Sequence, residues 1–126
     1  MGWFQEHKGP EIWEEAIELP LGDIDAAQRI RDICRSAADS AENAGSQAQP
    51  DKKSRQHRER FQRAAKAAME IAINISDDLM RDASVSQIVE LCMKADDLRT
   101  ARILVRAIQS VSIREDALKT HPMLRE

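Results

Sequence analysis

The stretch that decides the fold is residues 51–121, DKKSRQHRERFQRAAKAAMEIAINISDDLMRDASVSQIVELCMKADDLRTARILVRAIQSVSIREDALKTH, which contains neither glycine nor proline. All the glycines and prolines lie outside it, at 2, 9, 10, 20, 22, 45, 50 and 122. Gly and Pro are the poorest helix formers, while Ala, Arg, Glu, Gln and Leu, abundant here, are among the best. The stretch therefore reads as helix, broken only where Asp, Asn or Ser side chains can compete for the backbone. Three such breaks are visible: Ser76-Asp77-Asp78, Asp96-Asp97 and Ser110-Val111-Ser112. They predict one helix starting near residue 51, then helices at 79–94, 98–109 and 113–119, the last ending before His121-Pro122. In the first, Phe61, Ala65, Ala68, Ala72, Ile75 and Leu79 are spaced 4, 3, 4, 3 and 4, a heptad seam. Its alanines predict close helix approach. In the second, Val85, Ile88, Val89 and Cys92 share a face, with Met80, Ala83 and Leu91 beside it. In the third, Leu98, Ala101, Ile103, Leu104, Val105, Ala107 and Ile108 lie almost all round, which predicts the most buried helix of the set.

Working outward, residues 24–44 repeat apolar side chains at helical spacing (Ile24, Ala27, Ile30, Ile33, Cys34, Ala37, Ala41). Asp23 stands where an N-cap belongs and Gly45 where a C-terminal glycine would end the helix. Residues 45–54, GSQAQPDKKS, read as a mobile loop. Residues 11–19, EIWEEAIEL, make a short amphipathic helix between Pro10 and Pro20, with Ile12, Trp13, Ala16 and Ile17 on one face. The expectation is one all-α domain over 1–126, a compact bundle of about five helices. Residues 1–22 form its aromatic N-terminal segment and 55–121 its helical core.

Composition bounds the rest. Of 126 residues, 42% are hydrophobic, but 18 of these are Ala, and Leu, Ile, Val and Phe together number 26. That is close to the roughly 20% below which chains tend to disorder, so the core is thin. No apolar run approaches the ~18 residues of a membrane span. The start, Met-Gly-Trp-Phe-Gln-Glu, lacks the basic and apolar regions of a secretory signal. It also carries Glu6 where a myristoylation motif has Ser or Thr. Two cysteines, Cys34 and Cys92, make no disulfide framework and sit in apolar stripes. A cytoplasmic protein is expected.

The residue types that carry chemistry are not assembled for it. His7, His57 and His121 are far apart, and none follows a Glu at the third position before it. There is no His-Glu-x-x-His, no Cys-x-x-Cys and no Gly-rich phosphate loop. The acid pairs Glu14-Glu15 and Asp77-Asp78 read as a solvated face and an N-cap. We expect no catalytic residues, no metal site and no cofactor.

The second half compares with itself at a shift of 34–35 residues. Ala72-Ile73 followed by Arg81-Asp82-Ala83 matches Ala107-Ile108 followed by Arg114-Glu115-Asp116-Ala117. Over 64–119 this resembles the helix-pair repeats of α-solenoids, the HEAT-like and tetratricopeptide-like proteins. The resemblance implies a protein-binding scaffold, with residues 11–44 as a cap.

Two features suggest how a partner would be met. Residues 51–66 hold seven bases and two acids in a chain of net charge −3. As a helix, Lys52, Lys53, Arg55, Arg58, Arg60 and Arg63 spread nearly all round the axis. The block admits three readings: a solvated end pairing with the acids of 11–42, a phosphate contact to RNA or DNA, or docking on an acidic protein. Only Phe61 is near for base stacking, and the seam claims it. The second feature is aromatic: Trp3, Phe4 and Trp13 crowd the first 13 residues, either as a lid across the bundle or as an anchor for a partner. The expected function is a non-enzymatic protein–protein interaction module, an adaptor, regulator or inhibitor. The alternative is a nucleic-acid-associated helical protein using 52–63. A thin core also suggests a homodimer. No membrane partner is expected, since Glu11, Glu14, Glu15 and Glu18 oppose anionic lipid.

Overall fold

In the computed structural model, which describes residues 11–14, 21–46 and 52–125, the three breaks are helix starts made by side chains. Asp77 accepts from the Met80 N–H at 2.8 Å and opens α3, Asp78–Lys94. Asp97 accepts from the Thr100 N–H at 3.2 Å and opens α4, Leu98–Ala107. Ser110 Oγ accepts from the Ile113 N–H at 3.3 Å and opens α5, Val111–Thr120. Each supplies an acceptor to an N–H that the helix leaves unpaired. Before them come α1, Asp23–Ser46, and α2, Lys52–Ala72. Single 3₁₀ turns lie at Ile12–Glu14 and Pro122–Arg125. The α3–α4 junction uses Asp96 at φ 57°, with the Asp97 N–H on Cys92 O at 2.9 Å and the Asp96 N–H on Met93 O at 3.1 Å. This is a Schellman stop with Asp where glycine is usual.

α1 and α2 form a long antiparallel hairpin. Ala37 and Ala41 of α1 and Ala64, Ala68 and Ala72 of α2 are fully buried with Phe61, Ile30 and Ile33, so the expected small-residue seam is present. α3 packs against each of the other four helices. It buries Val85, Ile88, Val89, Leu91 and Cys92. The Pro122–Arg125 turn closes over α4 and α5 and buries Leu124. The architecture is an all-α compact bundle of five helices among the described residues. None of those helices is long and apolar enough to cross a membrane.

Several local expectations are corrected. The most buried helix is α3, not 98–109: Ile103 and Ala107 face solvent while Ala101, Leu104, Val105 and Ile108 face inward. Burial needs neighbours, and α3 alone packs against all four of the other helices. Leu79 leaves the seam because the chain turns at Asp77, so it starts a new helix and is exposed. Ala83 is exposed as well. Of the expected loop at 45–54, residues 45–46 belong to α1 and 52–54 to α2, and 47–51 lie outside the described residues. Of the expected helix at 11–19, the described part is the 3₁₀ turn, and 15–19 lie outside the described residues.

Gly45 does not end α1 through a left-handed conformation, since no glycine has positive φ among the described residues. It lies inside the helix, and a Cβ there would strike the Lys94 carbonyl oxygen and sit 2.9 Å from the Ala95 carbonyl carbon. The glycine is needed for the approach of α1 to the end of α3. Asp23, expected to cap α1, instead accepts from the Ser76 and Asp77 N–H groups, both at 2.8 Å. The Gly22 carbonyl takes the first helical bond, from the Ala26 N–H at 2.9 Å. Asp82 repeats the device. Only 1% exposed, it accepts from the Gln109 N–H at 3.1 Å and the Ser110 N–H at 2.8 Å. In both cases a carboxylate near the start of one helix holds the N-cap residue of a later one and the residue before it.

Candidate partner-binding surface

The buried side of α2 runs through Ser54, Phe61, Ala64, Ala65, Ala68 and Ala72. Opposite it, the 100° turn per residue aligns Lys52, Arg55, Glu59, Arg63 and Lys66, all exposed. Arg58 and Arg60 project to either flank, and both turn inward. The Arg58 guanidinium donates to the Ala44 carbonyl at 3.1 Å, satisfying an acceptor at the negative end of α1. Arg60 makes a forked pair with Glu11, Nε to Oε2 at 3.0 Å and Nη2 to Oε1 at 3.1 Å. Its Nη1 donates to Ser36 O at 3.2 Å and Ser40 Oγ at 2.9 Å. Its guanidinium also lies 4.9 Å from the Trp13 ring centroid, within cation–π range.

This arrangement places the expected site residues in three groups. Arg58 and Arg60 belong to the protein's own packing: Arg60 pairs with Glu11, one of the acids of 11–42, while Arg58 meets a backbone carbonyl and, among the described residues, no acid. Trp13, 9% exposed, is the ring that Arg60 holds against the hairpin, so it serves the core. Trp3 and Phe4 lie outside the described residues. Lys52, Lys53, Arg55 and Arg63 remain outward, and none of them makes a hydrogen bond or ion pair among the described residues. The structure adds Lys66, on the same stripe and equally unbonded. The stripe from 52 to 66 spans ~21 Å at 1.5 Å per residue. Its signal was in the spacing, but it emerges only once Arg58 and Arg60 are set aside, and their partners lie on other elements.

Beside the stripe, α2 and the start of α4 enclose a cleft of about 200 Å³ with Phe61, Ala65, Met69 and Leu104 within and Lys66, Asp97 and Thr100 at its lining. Two further clefts exist. One of about 500 Å³ lies between Trp13, Leu21, Ala26 and Arg29 on one side and Ala67, Glu70, Ile71 and Asn74 on the other. The other, about 270 Å³, lies between α1 and α3 over Cys34 and Leu91, with Arg31, Arg35 and Lys94 among its lining.

The thiols are held in their neutral form. Burial pushes Cys34 up to about 11. Burial, with the charges of Asp97 and Cys34 behind it, pushes Cys92 up to about 12. A thiol so held is a poor nucleophile near neutral pH. His57 Nδ1 lies 3.3 Å from Ser40 Oγ and His121 Nε2 lies 2.8 Å from Glu90 Oε2, each a contact between helical elements. Among the described residues no group of three or more His, Cys, Asp or Glu side chains could hold a metal ion. Comparison with family models, with curated proteins and with solved structures gave no match to this chain.

Proposed function

We propose that this chain is a non-enzymatic interaction module that docks on an acidic face of another protein through Lys52, Arg55, Arg63 and Lys66. The observation that carries the reading is the division of the basic block. Two arginines are used within the fold, and Lys52, Arg55, Arg63 and Lys66 are left aligned on one face without a bond among the described residues. Positive charge in the first turn of α2 opposes its dipole by about 0.3–1 kcal/mol at low salt, so the stripe works against the fold that carries it. The cleft over Phe61, Met69 and Leu104 gives the same surface a place for an apolar side chain, and buried apolar anchors commonly carry protein interfaces. The helix-pair resemblance points the same way. α1 lies against α3 and α3 against α5, and Asp23 and Asp82 perform matching roles near the starts of α1 and α3. The two free cysteines suit a reducing compartment such as the cytoplasm.

A second reading, contact with RNA or DNA, draws on the unbonded forks of Arg55 and Arg63, which suit phosphate. It is weaker because Phe61 is buried and offers no stacking surface. One experiment separates the two. Labelled Asp/Glu-rich peptide with a central Leu, RNA and DNA of equal length are titrated with the full chain at about 50 and 200 mM salt. The peptide is expected to bind, and changing Lys52, Arg55, Arg63 and Lys66 together to Glu is expected to abolish binding while the fold melts normally. Tighter, steeply salt-dependent binding of nucleic acid would put the second reading first. No binding of any probe would overturn both.

A further inference from the structure

At the end of the bundle opposite the basic start of α2, the first turns of α1, α3 and α5 are tied together. Asp23 holds residues 76–77 at the entry to α3, and Asp82 holds residues 109–110 at the entry to α5. Each first turn presents one large apolar side chain outward: Ile24 at 73% exposure, Leu79 at 63% and Val111 at 63%. Ile73, in the turn before α3, is 67% exposed at the same end of the bundle. Each of these residues keeps well over half of its surface outside its own fold. Single exposed apolar residues are ordinary, but apolar side chains gathered at one place mark contact sites. Acids rim this end: Asp25, Asp77 and Asp78 are exposed, with Arg81 paired to Asp78 at 3.1 Å.

We infer that this end is a second docking surface, and that its occupant is a basic amphipathic helix of a partner protein. Packed helices lie ~8–10 Å apart, so Ile24, Leu79 and Val111 project from neighbouring helices at about that interval. Seven residues of α-helix advance ~10.5 Å. A helix laid across the three first turns therefore meets them with apolar residues at i, i+7 and i+14, and Lys or Arg on its flanks face the acid rim. A second copy offering its own basic stripe fits less well, because α2 has no exposed large apolar side chain among residues 52–70. With the stripe at one end and this row at the other, the protein would hold two partners of opposite charge.

The test uses the full chain with labelled Ile, Leu and Val methyl groups and a synthetic 18-residue helical peptide bearing Leu at positions 2, 9 and 16 with Lys between them. Saturable shifts are expected at the methyls of Ile24, Ile73, Leu79 and Val111. The triple variant Ile24→Gln, Leu79→Gln, Val111→Thr is expected to weaken binding at least tenfold with an unchanged melting temperature. Asp25→Asn with Asp78→Asn is expected to weaken it too, and a peptide with Glu in place of Lys is expected not to bind. The inference is overturned by an absence of saturable shifts, by shifts confined to α2, or by a triple variant that binds equally well. It is also overturned if the row is already covered. Broadening that grows with protein concentration and vanishes in the triple variant would mean a second copy, and nuclear Overhauser contacts from Trp3 or Phe4 would mean the chain's own N-terminus.

Discussion

Replacing Gly45 with alanine sets two physical effects against each other. Within a helix, alanine is favoured over glycine by up to ~1 kcal/mol, and the backbone of Gly45 lies outside the left-handed region, so local structure alone predicts a stabilised protein. The packing predicts the reverse. The new Cβ would land on the Lys94 carbonyl oxygen and within 2.9 Å of the Ala95 carbonyl carbon. Both are backbone atoms at the end of α3, which no side-chain rotation can move. Relief requires α1 and α3 to separate, which places the cost in the upper part of the overpacking range, about 2–3 kcal/mol. The net expectation is a loss of about 1–2 kcal/mol. At ~2.1 cal/mol/K per residue the unfolding entropy of this chain makes 1 kcal/mol worth about 4 °C, so the midpoint should fall by roughly 4–8 °C. Thermal and urea denaturation followed by circular dichroism measure it. Gly22→Ala is the control, because nothing lies within 4 Å of a Cβ there, and it should change stability by less than about 0.5 kcal/mol. A Gly45→Ala protein as stable as the parent, or more stable, would refute the close approach of α1 and α3.

Asp82→Ala removes the acceptor of the part-buried Gln109 and Ser110 N–H bonds and should cost about 1–3 kcal/mol in urea unfolding. Asp116→Ala, the exposed counterpart in the 34-residue self-comparison, should cost less than about 0.5 kcal/mol. Arg60→Ala removes the group holding Glu11, Ser40 and Trp13 together, so tryptophan emission should shift to the red and the melting midpoint should fall. For the thiols, the folded values of about 11 and about 12 stand above the ordinary 9.0, so the folded state retains its protons longer than the unfolded one. Their contribution is complete below about pH 9 and is lost as pH rises toward 11–12. The fall should shrink in a Cys34→Ala, Cys92→Ala variant, and a thiol probe should label the parent quickly only after denaturation.

Of the functional surface, the sequence showed the basic block but not its shape. Around α2 the six bases at 52–63 point in many directions, and nothing local distinguishes Arg58 and Arg60 from their neighbours. Their partners are the Ala44 carbonyl, Ser36, Ser40 and Glu11, up to 49 residues away. A long guanidinium side chain can lie flat on an adjacent helix or extend into solvent, and only the neighbouring helix decides. Trp13 is similar: its crowding with Trp3 and Phe4 marked it as important, and the ring of Arg60 contacts turned it inward.

The sequence by itself determined the helices and where they begin. A stretch free of Gly and Pro, punctuated by Asp77, Asp97 and Ser110, can do little else, because propensity and capping act within four residues. Tertiary structure decided which apolar side chains became core. Ile103 and Leu104 are equally apolar, yet only Leu104 faces a neighbour. Leu79 continues the heptad but follows the turn. Asp82 is as polar as Asp116, yet it is buried because two N–H groups 27 and 28 residues away need its carboxylate. Burial is a property of what packs on the other side, and a single helix does not encode it.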